Sequence, residues 1–590
     1  MRNASLVRLG AALLLAALCL QVLASITTTS PTFDEPYHIL RSYVYLKTGD
    51  RALMAQGGHP PWTNMISVAP LLLRSDIVLP PHQPGWPQVT QLRAVFWVAD
   101  EFLWHVGNDA ESIVLWSRLP ALLLATLLAG LVFHWARRLQ TRRAGHLATA
   151  SAALLALLLY AFDPNLIGHT SVVTTDLGAT FFIFLSVYCL WCFCRQPSWS
   201  RLVLTGIVFG FAQATKFSSL LLAPIFVVLL TLWALDRTGA VSPFALPAER
   251  RMAGRLWLQR AYRVLGLCVV IFSLGLLVLW AVYGFEVSRL LPHEDSHPLL
   301  DRLLHLGSPG VKRIVYGLAE SLPLPAPSYF ADLAWLQRYA DSGHPSFLMG
   351  SYGVQGWWYY FPVAFLIKTP IPTLLLLLAA AYLSLRHRQQ WRDEAFLLVP
   401  AVLFFLSSMF SSIDIGYRNI LPVLPFAFVY VSKVAASVAG RLQRVLLILL
   451  CSWYILGTIT VSPHYLAYFN ELVGGPDNGY KYLVDSNLDW GQDLKNLKRY
   501  MDTQHISEVY LSYFGAADPT YYGIRFQPMP DVPPDPDAAP AYYAISATSL
   551  QNVYSRGKSG PGGPPAVGHW LAQYQPVSKI GYSIFVYRLP

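Results

Sequence analysis

Charge is what this chain has least of. Only 13% of its 590 residues are Asp, Glu, Lys or Arg, about half the ~25% usual in soluble domains, and that excludes a water-soluble globular protein. Cysteine is scarce as well. The six, Cys19, Cys189, Cys192, Cys194, Cys268 and Cys451, all lie within or at the edge of apolar runs, so no disulfide framework is implied. Cys192 and Cys194 have no nearby His or second Cys pair and read as small buried side chains rather than metal ligands. No dedicated metal cluster is visible. Nor is any internal repeat, so an inverted-repeat transporter lacks its usual pointer.

What is abundant is apolar sequence, 54% of the chain. A span needs about 20 mostly apolar residues, and spans are expected near 6–26, 112–134, 146–162, 175–194, 201–215, 217–235, 263–283, 369–386, 395–411, 419–437 and 445–462, about eleven in all. The fold class expected is therefore a polytopic α-helical membrane protein. The net charge of +10 would raise the question of nucleic acid in a soluble protein. Topology accounts for it instead. Arg137, Arg138, Arg142 and Arg143 follow one run, Arg250, Arg251, Arg255, Arg260 and Arg263 sit in one connection, and Arg386, Arg388 and Arg392 follow another. Such clusters mark the cytoplasmic side, which places the N-terminus in the cytoplasm and, with an odd span count, the C-terminus outside. The first span also has features of a signal peptide, but retention as an anchor is expected.

Three segments too polar for lipid fall outside in this topology: the loops 27–111 and 284–357, and 463–590. The last alternates turn-rich stretches, Pro528 to Pro540 and Gly557 to Pro565, with β-rich runs at Val509 to Phe514, Tyr542 to Ser546 and Ile584 to Leu589, and has a helical pattern near Asp489 to Met501. It reads as a small extracytoplasmic α/β domain capping a membrane module of residues 1–462.

Ionisable residues near lipid are expensive, roughly 2.5–3.5 kcal/mol for Arg, Lys or Asp at a helix centre. On the expected outer face they collect where loops meet spans: Asp34, Glu35, His38, His59, Arg118, Asp176, Lys216, Lys368, Asp414 and Arg418. Carboxylates mixed with cations suit a reaction on an anionic lipid headgroup, the cations binding phosphate and a carboxylate taking a proton from an attacking hydroxyl. On spacing alone, Asp34 and Glu35 read first as a solvated charge pair. Arg118, Lys216 and Arg418 read as cations snorkelling to the interface, and His59-Pro60-Pro61 as an extended turn.

Together, however, these residues resemble a family. Phe33-Asp34-Glu35-Pro36-Tyr37-His38 is similar to the aspartate-glutamate motif opening the first outer loop of protein O-mannosyltransferases and of the lipid A aminoarabinose transferase. Gly58-His59-Pro60-Pro61 resembles the His-Pro-Pro element later in that loop. Ser117-Arg118-Leu119-Pro120, Val173-Thr174-Thr175-Asp176, Ala214-Thr215-Lys216, Ile367-Lys368-Thr369-Pro370 and Tyr417-Arg418-Asn419-Ile420-Leu421-Pro422 follow in the order seen in bacterial members of glycosyltransferase family 39.

The resemblance implies a GT-C fold and an inverting glycosyltransferase of a bacterial inner membrane. It would move a hexosyl or pentosyl group from a polyprenyl-phosphate donor to a protein, lipid or glycan acceptor at the outer face, with membrane lipid around it and no nucleic-acid partner. By resemblance Asp34 matches the catalytic base with Glu35 beside it, and His59, Arg118, Asp176, Lys216, Lys368 and Arg418 fall where carrier phosphate or sugar is held. No cofactor is implied, and a divalent-ion requirement is left open. Two departures, Trp62-Thr63-Asn64 after His-Pro-Pro and the lack of a recognisable MIR domain, argue against a eukaryotic-type protein mannosyltransferase. The stretch Asp485-Ser486-Asn487-Leu488-Asp489-Trp490-Gly491-Gln492-Asp493 also resembles bacterial relatives. Asn487 or Asp489 is expected there as a cap of the following helix. The rival expectations are a transporter or flippase of a lipid-linked anion, which needs the cations but not Asp34, and a non-catalytic scaffold.

Overall fold

The computed structural model describes residues 2–50, 53, 58–81, 92–141, 145–235, 256–289, 316–317, 321, 323–386, 391–537, 539–554 and 568–590. Arg142, Arg143, Arg250, Arg251, Arg255 and Arg388, the turn-rich stretch Gly557 to Pro565 and residues 290–315, 318–320 and 322 of the loop 284–357 lie outside the described residues.

A helix lies on each of the eleven apolar stretches. Among the described residues six are long and apolar enough to cross a membrane: Ser5–Thr28, Ala110–Gln140, Thr175–Arg195, Phe217–Leu235, Leu258–Val282 and Arg441–Thr460. Two bent pairs bring the number to eight if each pair is one span. The other three stretches carry the shorter or more polar helices Trp199–Gln213, Trp391–Ser408 and Val423–Val431. Leu13, Leu20, Leu123, Leu265, Leu378, Leu442 and Ile448 stand exposed on these helices, an apolar surface that water would not tolerate but lipid does. This is a helical, polytopic membrane protein.

Both bends have local causes. Pro164 at the first turn restarts a helix after Asp163, whose carboxylate accepts the Leu166 N–H at 2.9 Å, and the axis turns by 56°. Pro370 forces Thr369 into extended backbone (ψ 131°), as residues before proline must be, so the helix stops at Lys368 and the chain turns by 108°. The carbonyls left open there are taken up from afar: Asn470 Nδ2 donates to Leu366 O (2.7 Å) and Thr369 O (2.8 Å), and Asn165 Nδ2 to Lys368 O (2.8 Å).

Beyond residue 463 the chain returns over the helices and builds a five-stranded mixed sheet. Its order is Phe526–Pro528, Val509–Ser512, Ala541–Ser546, Ile584–Leu589 and Ser578–Ile580, with the first two pairings parallel and the last two antiparallel. The helix Leu494–Thr503 covers it with Leu494, Leu497 and Met501. The apolar core under this sheet also contains Leu40 and Val95 of the loop 27–111 and Ile113 at the start of the next helix. Thus the first loop and the sheet share one hydrophobic interior.

Candidate active site

A cavity of about 860 Å³ lies between the helical body and this cover, and Asp34, His59, Asp176, Lys216 and Arg418 all line it. Each arrives on a different element. Asp34 is the N-cap residue of the helix Glu35–Thr48 yet makes no capping hydrogen bond, so its carboxylate, 24% exposed, is free to turn to the cavity. There Arg418 Nη1 donates to it at 3.1 Å. Arg418 comes from the short turn Tyr417–Ile420, and its guanidinium lies 4.3 Å above the Trp490 ring. Lys216 leaves the helix Trp199–Gln213 in extended backbone and donates to Asp176 Oδ1 at 2.5 Å and Asn419 Oδ1 at 3.3 Å.

His59 depends on a glycine. Gly58 has φ +143°, and a Cβ on it would stand 2.4 Å from the Tyr37 hydroxyl and 2.6 Å from Arg41 Nη1, so only glycine lets this loop approach. Burial first, and then Lys216, push the His59 imidazole well below its ordinary value; burial also lowers His38 to about 4. Both rings are neutral at neutral pH, with Asn64 Nδ2 2.9 Å from His38 Nδ1.

Three sequence candidates do not reach the cavity. Glu35 is 0% and Arg118 1% exposed, and they form a buried pair: Arg118 donates Nε to Oε1 (2.8 Å) and Nη2 to Oε2 (2.7 Å). Glu35 also accepts from the backbone N–H of Thr32 (2.7 Å) and Val173 (2.8 Å). Burial alone would raise the Glu35 carboxyl; Arg118 and these amides outweigh it and hold it below its ordinary value. The rest of Arg118 donates to the carbonyls of Ile26, Thr29 and Ser30. Lys368 donates to the carbonyls of Leu466 (2.9 Å) and Asn487, which ties the return segment to the bend. The structure thus gives these three residues scaffold contacts rather than a place in the cavity.

The expected helix cap in the return segment is a correction. The helix Leu494–Thr503 starts after Asp493 with no side-chain cap. Asp489 instead accepts the Thr548 N–H at 2.7 Å, and Asn487 Oδ1 the Tyr417 N–H at 2.9 Å, so both hold pieces of the cavity wall together. The same segment supplies Asp485 and Trp490 to the lining, joined by His344, Tyr339 and Tyr554. The family-like run Asp485 to Asp493 was the signal for them. Among the described residues no group of three or more His, Cys, Asp or Glu is arranged to hold a metal ion.

Residues 94–243, about a quarter of the chain, match the family model described as dolichyl-phosphate-mannose-protein mannosyltransferase. Over that segment the motifs and the family model agree, and the chain is similar to membrane glycosyltransferases of the GT-C kind. Solved structures that resemble it include ArnT from Cupriavidus metallidurans bound to undecaprenyl phosphate, at 13% identity and TM-score 0.42, covering 98% of this chain and 97% of that one. The apo state of the same protein gives 12%, 0.38, 100% and 98%. An Archaeoglobus fulgidus oligosaccharyltransferase tethered to an acceptor peptide gives 14% and 0.36, covering 77% of this chain and 55% of that chain. No curated protein matches.

Proposed function

We propose that this protein is an inverting glycosyltransferase that moves a sugar from a polyprenyl-phosphate carrier to an acceptor hydroxyl at the outer face of a bacterial inner membrane. The carrying observation is that one cavity holds a partly accessible carboxylate, Asp34, together with the cations Arg418 and Lys216. The matched family is described by a sugar donor of this kind, which supports the same reading. Residues 1–462 form the membrane module with a cytoplasmic N-terminus, and residues 463–590 an extracytoplasmic cover.

Asp34 accepts the proton of the acceptor hydroxyl as its oxygen attacks the anomeric carbon opposite the phosphate. The bond from that carbon to the phosphate oxygen breaks, and its electron pair leaves with the phosphate. A phosphodiester carrying one negative charge becomes a monoester able to carry two. Arg418 and Lys216 therefore stabilise the transition state more than the bound donor, which is the condition for catalysis rather than mere binding. Asp176 fixes the Lys216 ammonium, and Glu35 with Arg118 fixes the loop from which Asp34 projects.

The test is transfer by the purified full chain from labelled polyprenyl-phosphate sugars, in single turnover at saturating donor. Asp34→Asn should lower the transfer rate to a hydroxyl acceptor by roughly 10²–10⁴ while donor binding is kept. Full activity of Asp34→Asn would refute the mechanism. Carrier binding with no transfer by the unaltered protein would favour a transporter of a lipid-linked anion.

A further inference from the structure

On the sheet side of the cavity one polar side chain has nothing to bind. Asn552 is 2% exposed and lines the cavity, and neither its amide nitrogen nor its amide oxygen has a hydrogen-bond partner. Buried carboxamides are ordinarily satisfied, so an unsatisfied one in the wall of a cavity marks a place for a ligand's polar atoms.

The neighbouring backbone is unusual. Asn552 and Asp485 both have φ +57°, a left-handed conformation that among non-glycine residues Asn and Asp adopt most often. Asp485 is fixed on both sides: its N–H donates to Thr548 Oγ1 at 3.1 Å, and the Tyr554 hydroxyl donates to its carboxylate. Aromatic faces stand around the pair. Phe514 is stacked on Tyr554 at 5.2 Å, and His344 meets the Tyr554 ring edge-on at 5.8 Å.

Asp485 is also tied to the cation that the transfer reaction needs. The next residue, Ser486, donates to Ile415 O at 2.8 Å, and Asn487 holds the Tyr417 N–H directly before Arg418. A group joined by one oxygen to a phosphate at Arg418 therefore lies in the same cavity as this corner.

We infer that Asp485 and Asn552, with the aromatic rings beside them, form the subsite for the hydroxyls of the transferred sugar, so that the C-terminal cover, not the membrane helices, selects which sugar is moved. The inference rests on the reading of the cavity as a sugar-transfer site. Each Asp485 oxygen already accepts once, from the Tyr554 hydroxyl and the Ser486 N–H, and keeps a further lone pair for a hydroxyl, while a carboxamide both accepts and donates; together they match a vicinal diol. Phe514, Tyr554 and His344 line the same cavity and give the corner an apolar side. A prenyl chain satisfies none of these polar atoms.

The probes are undecaprenyl phosphate alone and undecaprenyl phosphate carrying mannose, glucose, galactose or arabinose, bound to the full chain in detergent. The unaltered protein should bind at least one glycosylated carrier more tightly than the sugar-free carrier. Asn552→Gly keeps the left-handed backbone and removes the amide; it should reduce that preference about tenfold or more, with sugar-free carrier bound as before. Asp485→Asn should act in the same direction. Unchanged binding of the sugar-free carrier shows that each variant is folded. Absence of any sugar preference in the unaltered protein, an intact preference in Asn552→Gly, or an equal loss for the sugar-free carrier would each overturn the inference. Failure of the underlying reading looks different: Arg418→Ala would then bind the sugar-free carrier as the unaltered protein does.

Discussion

Replacing Glu35 by glutamine removes one charge, and the structure says what that does. Five protein donors converge on the carboxylate: Arg118 Nε and Nη2 and the Thr32 and Val173 amides, all within 2.8 Å, and the Thr32 hydroxyl at 3.1 Å. A glutamine presents an NH₂ to at least one of them, so two donors face each other, and Arg118, 1% exposed, keeps its charge without a counterion. Removing one partner of a buried pair costs about 3–5 kcal/mol. The carbonyls of Ile26, Thr29 and Ser30 still hold Nη1 and Nη2, which puts the expected loss near the lower end, about 3 kcal/mol. Chemical unfolding in mixed micelles measures it, beside transfer rate per folded molecule. The expected result is a large loss of stability with transfer by the folded fraction changed little. The folded carboxyl is held below its ordinary 4.5, so its contribution is whole above that pH and is lost as pH falls through the folded value; the variant's deficit should therefore shrink in acid. Glu35→Gln as stable as the unaltered protein, with transfer down a hundredfold, would refute the reasoning and return Glu35 to the chemistry.

Lys216→Ala and Arg418→Ala should each weaken binding of polyprenyl phosphate by roughly tenfold or more, since each removes a charge-assisted contact worth about 1.5–3 kcal/mol; equilibrium binding checks it, and near-normal affinity in both would reassign them to structural pairing. Gly58→Ala should lose activity and stability together, because the new methyl meets Tyr37 and Arg41 where no side chain fits; a thermal melt of the variant equal to that of the unaltered protein would contradict this. Stability should also decline as pH drops from 6.5 through about 4, because the unfolded chain protonates His38 before the folded one does; a pH series of unfolding curves shows the slope, and a flat series would exclude buried neutral histidines.

The charged half of the cavity was legible because lipid makes charge expensive: Asp34, Asp176, Lys216 and Arg418 stand out at the edges of apolar runs for that reason. The same logic over-reached with Arg118 and Lys368. Sequence shows that a cation lies near a span but not what it faces, and the carbonyls freed at Thr29, Leu466 and Asn487 appear only once the chain is folded. The strands at 509, 541 and 584 were readable from β-branched and aromatic runs, and the bends at Pro164 and Pro370 follow from proline itself. In the polar wall only Asp485 carried a signal, the family-like run to Asp493; Asn552 and Tyr554 carried none. In a solvated segment a polar residue costs nothing, so composition gives no hint, and its meeting with Arg418 joins distant parts of the chain.

The return segment also carries a consequence in time. Ser30 N donates to Gln492 O and Phe33 N to Trp490 O, each at 2.9 Å, and the Ser30 hydroxyl to Gly491 O across 461 residues of sequence. The loop that aims Asp34 is thus bonded to residues made about 460 positions later in translation. At about 5–20 residues per second that separation is roughly 20–90 s of synthesis, during which the first helix is already in the bilayer while the loop behind it has no partner for these donors. A chain stopped between residues 460 and 490 has its apolar helices complete and its carboxylate unaimed, so insertion and competence are separate events in the life of this protein.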